Sequence, residues 1–160
     1  MAHIQDLTPC SYMRQWEQSS LAVGWLERGN AYPRGTVDET FFRALLRLCA
    51  NPWQPPVVSA GVHLCSFCQF AGRLVGSSYG GASGAIGTAN VFIPGETKVF
   101  VTPGMIVHYI DAHEYVPPRE FQDAVLKCPE MRSMSYFKAL KALGLPLSGY
   151  WPTAGEDESQ

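Results

Sequence analysis

Apolar positions recur three and four apart along Phe41, Phe42, Leu45, Leu46, Leu48 and Cys49. That spacing gathers them on one face of a helix. Thr36 or Asp38 can cap its start and Asn51-Pro52 stops it, so the pattern predicts a helix over Asp38 to Ala50. Two further helices read the same way. Pro117-Pro118 opens one over Arg119 to Lys127, with Phe121, Ala124, Val125 and Leu126 apolar and Pro129 ending it. Ser133 to Leu143 is the other, closed by Gly144. A shorter stripe of Met105, Ile106, Tyr109 and Ile110 follows Thr102-Pro103-Gly104 and predicts a helix there.

Strands show as continuous apolar and β-branched runs. Ala89 to Ile93 and Lys98 to Val101 flank Pro94-Gly95-Glu96-Thr97, which reads as a hairpin. Val57 to Leu64 reads as a short strand reached through the extended connector Pro52 to Pro56. Ser11 to Leu26 has the makings of a helix that Gly24 interrupts, after a loop at Leu7 to Cys10. Gly29, Asn30, Pro33 and Gly35 mark turns between Arg28 and Gly35. The glycine-, serine- and alanine-rich stretch Gly72 to Gly87 reads as a flexible loop. It lacks the Gly-Lys-Ser/Thr ending of a phosphate-binding loop.

These elements add up to an α+β fold, a small antiparallel sheet packed with three to five helices in a single domain. The domain is expected to span residues 1–154, leaving 155–160 as a disordered acidic tail. A chain of 160 residues suits one domain, and its 46% hydrophobic share can supply a core. Charged residues are only 16%, below the roughly 25% of ordinary soluble domains, which points to a partly neutral and aromatic surface. With 12 basic and 14 acidic residues scattered along the chain, no basic patch suggests nucleic acid as a partner. No apolar stretch approaches the length of a membrane span, and the first residues lack the basic and apolar regions of a signal peptide. A cytosolic setting is the expectation.

Five cysteines, Cys10, Cys49, Cys65, Cys68 and Cys128, are an odd number and argue against a disulfide framework. Cys49 and Cys128 fall in helical runs and read as small buried hydrophobes. Cys65 and Cys68 are different. His63-Leu64-Cys65-Ser66-Phe67-Cys68 is His-x-Cys-x-x-Cys, and His108 to His113 is His-x4-His. A Cys-x-x-Cys turn can aim its amides at a thiolate pair, and thiolate with imidazole is the donor set zinc favours. The 39 residues between Cys68 and His108 must then fold back to bring the two motifs together. His-x4-His offsets its side chains by about 140° around a helix, so both reach one ion only if His113 lies at or beyond the helix end. His108 is the expected helical ligand, and His63 and His113 compete for the last place. A redox cysteine pair and two free buried thiols are the competing readings of Cys65 and Cys68.

Four protein ligands would make the site structural. Three would leave room for a water, with Asp111 or Glu114 as general base, in a small zinc hydrolase. The catalytic residues of such an enzyme are not otherwise marked: the metalloprotease pattern His-Glu-x-x-His is missing. The leading expectation is a zinc-stapled protein-interaction or accessory module, of the immunity type, whose partner is another protein.

From Val23 to Met131 the chain resembles a family of small, uncharacterised bacterial proteins. The resemblance is carried by Gly24-Trp25-Leu26, by His63 to Cys68, and by Pro103 to Phe121 with its His-Tyr-Ile-x-x-His-x-Tyr-x-Pro-Pro pattern. It implies a metal-site role for the cysteine and histidine positions and no particular activity.

Overall fold

The computed structural model describes residues 3–54, 65–68, 75–79, 82–86, 89–145 and 147. Its architecture is α+β. A 3-10 helix, Arg14–Ser19, leads into strand β1, Ser20–Ala22, and then helix α1, Glu39–Ala50. Strands β2, Val75–Tyr79, and β3, Ala82–Ile86, precede β4, Asn90–Pro94, and β5, Val99–Pro103. Helices α2, Ile106–His113, α3, Arg119–Lys127, and α4, Met134–Ala142, complete the order.

The main sheet has the order β1-β5-β4. β4 and β5 form the expected antiparallel hairpin, with Phe92 opposite Val101. β1 joins β5 in parallel, Leu21 opposite Phe100, so the sheet is mixed rather than wholly antiparallel. Side chains alternate between two buried layers. Val91, Ile93 and Phe100 enter one cluster with α1, α2 and α3, while Phe92, Val99 and Val101 enter another with α4, Trp16, Trp25 and Trp53. A sheet covered on both faces needs apolar residues at every position, which is why these strands read as unbroken apolar runs.

Both outer edges of this sheet are occupied. The chain at 7–10 bonds to β1, Leu7 N donating to Ala22 O at 2.8 Å and Ala22 N to Thr8 O at 2.8 Å. On β4, the Gln54 amide bonds Asn90 on both its N–H and its carbonyl, and Tyr136 Oη donates to Phe92 O at 2.6 Å. Among the described residues, these bonds occupy edge groups that would otherwise be open to pairing with another chain.

Two expectations change. Ser11 to Leu26 is not one helix: a short 3-10 turn gives way to β1, because Leu21 and Ala22 are claimed by opposite faces of the sheet. Gly24 follows at φ +75°, and a Cβ there would sit 3.0 Å from the Ile106 side chain. The glycine-rich loop also gains structure, since β2 and β3 pair as an antiparallel hairpin with Tyr79 opposite Ala82. Small residues at those positions hid a strand that composition alone reads as loop. The strand expected at Val57 to Leu64, His63 and the acidic tail lie outside the described residues.

The remaining helices stand where their caps put them. Asp38 accepts from Thr40 N and Phe41 N at the start of α1, and Ser133 accepts from Tyr136 N at the start of α4. Gly144, at φ +88°, closes α4.

Candidate metal centre

The site is built on the end of α2. His108 lies within the helix and is buried, 8% exposed. His113 is its last residue, and Glu114 at φ +56° turns the chain out of the helix. Glu114 N and Tyr115 N both bond to the Tyr109 carbonyl, which fixes the reversal. The emerging strand is then held against residues 33–35: Val116 N donates to Pro33 O at 3.0 Å and Gly35 N to Glu114 O at 2.9 Å. Tyr32 Oη adds a bond to the His113 carbonyl at 3.1 Å. These contacts answer the geometric demand that the five-residue spacing raised. An offset of about 140° on a helix is bridged because the second histidine sits at the terminus.

The opposing wall is the turn Cys65 to Cys68. The amides of Phe67 and Cys68 bond to the Cys65 sulphur. Ser66 Oγ accepts from Arg28 N at 2.9 Å and ties the turn to the chain after β1. Phe67 inserts its ring between Tyr32, at 5.4 Å, His113, at 5.2 Å, and Tyr109, at 5.9 Å. A Cys-x-x-Cys turn thus carries its own aromatic wedge, and that wedge seats the turn against α2.

Among the described residues, Cys65, Cys68, His108 and His113 bring their ligand atoms within 4.8 Å of one another. Cys68 Sγ lies 3.2 Å from His108 Nε2 and 3.4 Å from His113 Nε2, and Cys65 Sγ lies 3.3 Å from His113 Nε2. Zinc bonds of about 2.3 Å to sulphur and about 2.05 Å to nitrogen, at tetrahedral angles, would set S···N at about 3.6 Å. The observed separations come close to that value. Two sulphurs and two imidazole nitrogens directed at one point are a chelating set.

Electrostatics agree with the donor chemistry. Burial lowers the pKa of both histidines, aided at His108 by His113 and opposed by Asp111, and aided at His113 by Arg34. Both rings are therefore held neutral, the state that binds a metal. Burial and the neighbouring Cys68 raise the Cys65 thiol, against the pull of its two amide bonds. A cation between the sulphurs is the partner that would favour its thiolate.

The other candidates fall elsewhere. Asp111 and Glu114 are exposed and stand outside the cluster. Cys10 is fully buried, Cys49 and Cys128 pack partly buried against the core, and burial pushes the three thiols up to about 11, 12 and 11. Cys49 and Cys128 pack as the small hydrophobes their positions suggested. Trp16, Trp25 and Trp53 are core residues. No spacing or motif along the chain marks the Tyr32-to-Gly35 brace or Phe67 as a wedge. The turn residues Pro33 and Gly35 marked a bend, without showing what the bend would clamp.

The fold and this cluster define a small α+β protein with a Cys2His2 group at the junction of a cysteine turn and a helix end. The chain belongs to a family described as a domain of unknown function, DUF7919, whose model matches residues 2–126. The matched segment contains all four residues of the cluster. Comparison with the curated proteins and with the solved structures gave no match.

Proposed function

We propose that the chain binds one zinc ion through Cys65 Sγ, Cys68 Sγ, His108 Nε2 and His113 Nε2, and that the ion is a structural staple. The carrying observation is the convergence of those four ligand atoms, with S···N separations of 3.2 to 3.4 Å. Two thiolates and two imidazoles suit zinc better than a hard cation. Four protein ligands fill a tetrahedral shell, so a bound ion would stabilise the fold without offering a position to substrate. The exposure of Asp111 and Glu114 supports the same reading, because a hydrolase would need one of them beside the metal. Three surface cavities of about 490 to 570 Å³ are lined by other residues.

The domain then serves as a protein-interaction or accessory module, of the immunity type, in a reducing cytosolic setting. Free cysteines support that compartment. Leu126 and Met134, 51% and 60% exposed on α3 and α4, offer apolar contact to a partner. Among the described residues, no helix is long and apolar enough to cross a membrane.

Elemental analysis with thiol titration tests the staple. One zinc per chain is expected, with two thiols unmasked by chelator. Cobalt substitution should give a tetrahedral spectrum that azide leaves unchanged. No metal and five equally reactive thiols would sink the proposal, and an azide-sensitive spectrum would return the hydrolase reading.

A further inference from the structure

We infer that the cavity walled by the β4–β5 turn, β1, α3 and α4 is an anchor pocket for a partner protein. Its occupant is a large apolar side chain, such as tryptophan, flanked by lysine or arginine. The inference rests on the protein-interaction reading above, which it makes specific, and not on the metal.

The cavity measures about 520 Å³, inside the range of about 300–1,000 Å³ over which a pocket encloses a ligand. Leu7, Leu21, Phe100, Ala124 and Ala139 supply apolar lining. Leu7 is the informative residue. It is 37% exposed and stands at φ +63°, in the left-handed region that a leucine rarely adopts. Its neighbours hold it there. Leu7 N donates to Ala22 O at 2.8 Å, and Thr8 donates to Gln5 O through its amide at 3.3 Å and its hydroxyl at 2.7 Å. Glycine would meet this backbone without strain. Leucine adds an apolar side chain to the cavity wall at a conformational cost, and residues strained in this way cluster at ligand sites.

The charged lining selects among apolar occupants. Lys98 Nζ donates to Gln18 O, and Asp123 pairs with Arg119 at 3.6 Å. Among the described residues, Glu96, Glu120 and Lys127 form no ion pair, which leaves two carboxylates against one ammonium along the lining. A cation on the partner is favoured there and a carboxylate is opposed. Tryptophan and arginine are also the side chains that most often anchor protein interfaces. Exposed Leu126 and Met134 lie outside this lining and form a separate apolar surface.

Methyl NMR of the intact chain, titrated with acetyl-Lys-Trp-Lys-amide, tests the site. Saturable shifts are expected at the Leu7, Leu21, Ala124 and Ala139 methyls, with Met134 unmoved. Acetyl-Glu-Trp-Glu-amide should bind about 10-fold more weakly. Replacing both carboxylates, Glu96→Gln with Glu120→Gln, should weaken the basic peptide about 3- to 10-fold and narrow that gap. Leu7→Gly relaxes the backbone while removing apolar contact, two opposed effects, so its melting temperature should hold while peptide affinity falls about 10-fold. The glutamate variants, altered only at exposed positions, carry the test if Leu7→Gly does not fold. Unmoved cavity methyls at millimolar basic peptide would overturn the inference, and so would equal affinity for the two peptides. Shifts confined to Leu126 and Met134 would overturn the pocket and leave the interaction reading standing on α3 and α4.

Discussion

The two faces of the main sheet are held by different means. On the α4 face, Phe92 meets Trp16 and Trp53 edge-on at 5.7 and 5.5 Å, and Trp53 meets Phe137 at 5.7 Å. Those contacts are complete in themselves, since apolar rings need only exclude water and meet at favourable angles. On the α2 face, the Cys65 turn is closed by thiols and imidazoles whose lone pairs converge on one point. Polar groups so gathered and half-buried do not cohere unless something satisfies them. One face is finished by packing and the other, on the proposed zinc reading, by an ion. This small protein should therefore respond to the metal content of its surroundings on the α2 face and not on the α4 face.

The largest effect should come from taking the ion away. Chelation, or Cys65→Ser, should abolish zinc binding and lower the melting temperature more than any other change considered. Apparent zinc-binding free energies in structural sites are about 10–16 kcal/mol, and binding free energy of this kind is folding free energy. Thermal melts with and without chelator, followed together with zinc content, test this. An unchanged melting temperature in both cases would mean the α2 face is finished without metal, and the contrast between the faces would dissolve.

The second effect belongs to the other face. Phe92 is fully buried between two tryptophans, so Phe92→Ala should destabilise by about 3–5 kcal/mol through the lost transfer energy and the cavity left behind. Chemical denaturation of the zinc-loaded protein measures it. The folded variant should still carry one zinc per chain. Loss of zinc at denaturant concentrations where the variant remains folded would show that the faces are coupled through the sheet.

The legibility of the two faces differs for the same physical reason. Spacing along the chain marked the residues of the cluster: Cys65 and Cys68 with two residues between them, and His108 with His113, which competed with His63 and whose separation works only at a helix end. α1, α3, α4 and the β4–β5 hairpin were equally plain, because their caps and apolar periods are local. What stayed hidden depends on tertiary context. Residues 11–26 have no strong period of their own, and the parallel partner that makes Ser20–Ala22 a strand lies at Val99–Val101. The β2–β3 hairpin is built from residues with small side chains, whose backbone pairing leaves little compositional trace. Tyr32 and Phe67 become a clamp only when the Cys65 turn and the end of α2 meet.

Gly24→Ala perturbs the α2 face from within. The position has φ +75°, and an added Cβ would meet Ile106 Cδ1 and Cγ1 at 3.0 Å and Thr102 Oγ1 at 3.2 Å. Ile106 opens α2, the helix that carries both histidines. Backbone strain of this kind costs about 1–3 kcal/mol. Because the clash bears on the ligand helix, zinc affinity should fall together with stability. Loss of stability at constant affinity would show that α2 is positioned by the cysteine turn rather than by the β1 exit.

Asp38→Ala should be the smallest effect and the most discriminating. Asp38 caps α1 by accepting from Thr40 N at 2.8 Å and Phe41 N at 3.4 Å, and its loss should cost about 1 kcal/mol. α1 contributes Phe41 and Leu45 to the same buried cluster as Cys65 and Tyr109, yet it supplies no ligand. If the ion finishes that face as a local clamp, the variant should lose stability in denaturant while zinc affinity holds, because fraying the first turn of α1 leaves the brace at 32–35 and the cysteine turn in place. If affinity falls in step with stability, the whole α2 face folds and binds as one cooperative unit. In that case the metal reports on the packing of α1 as well as on the residues that touch it.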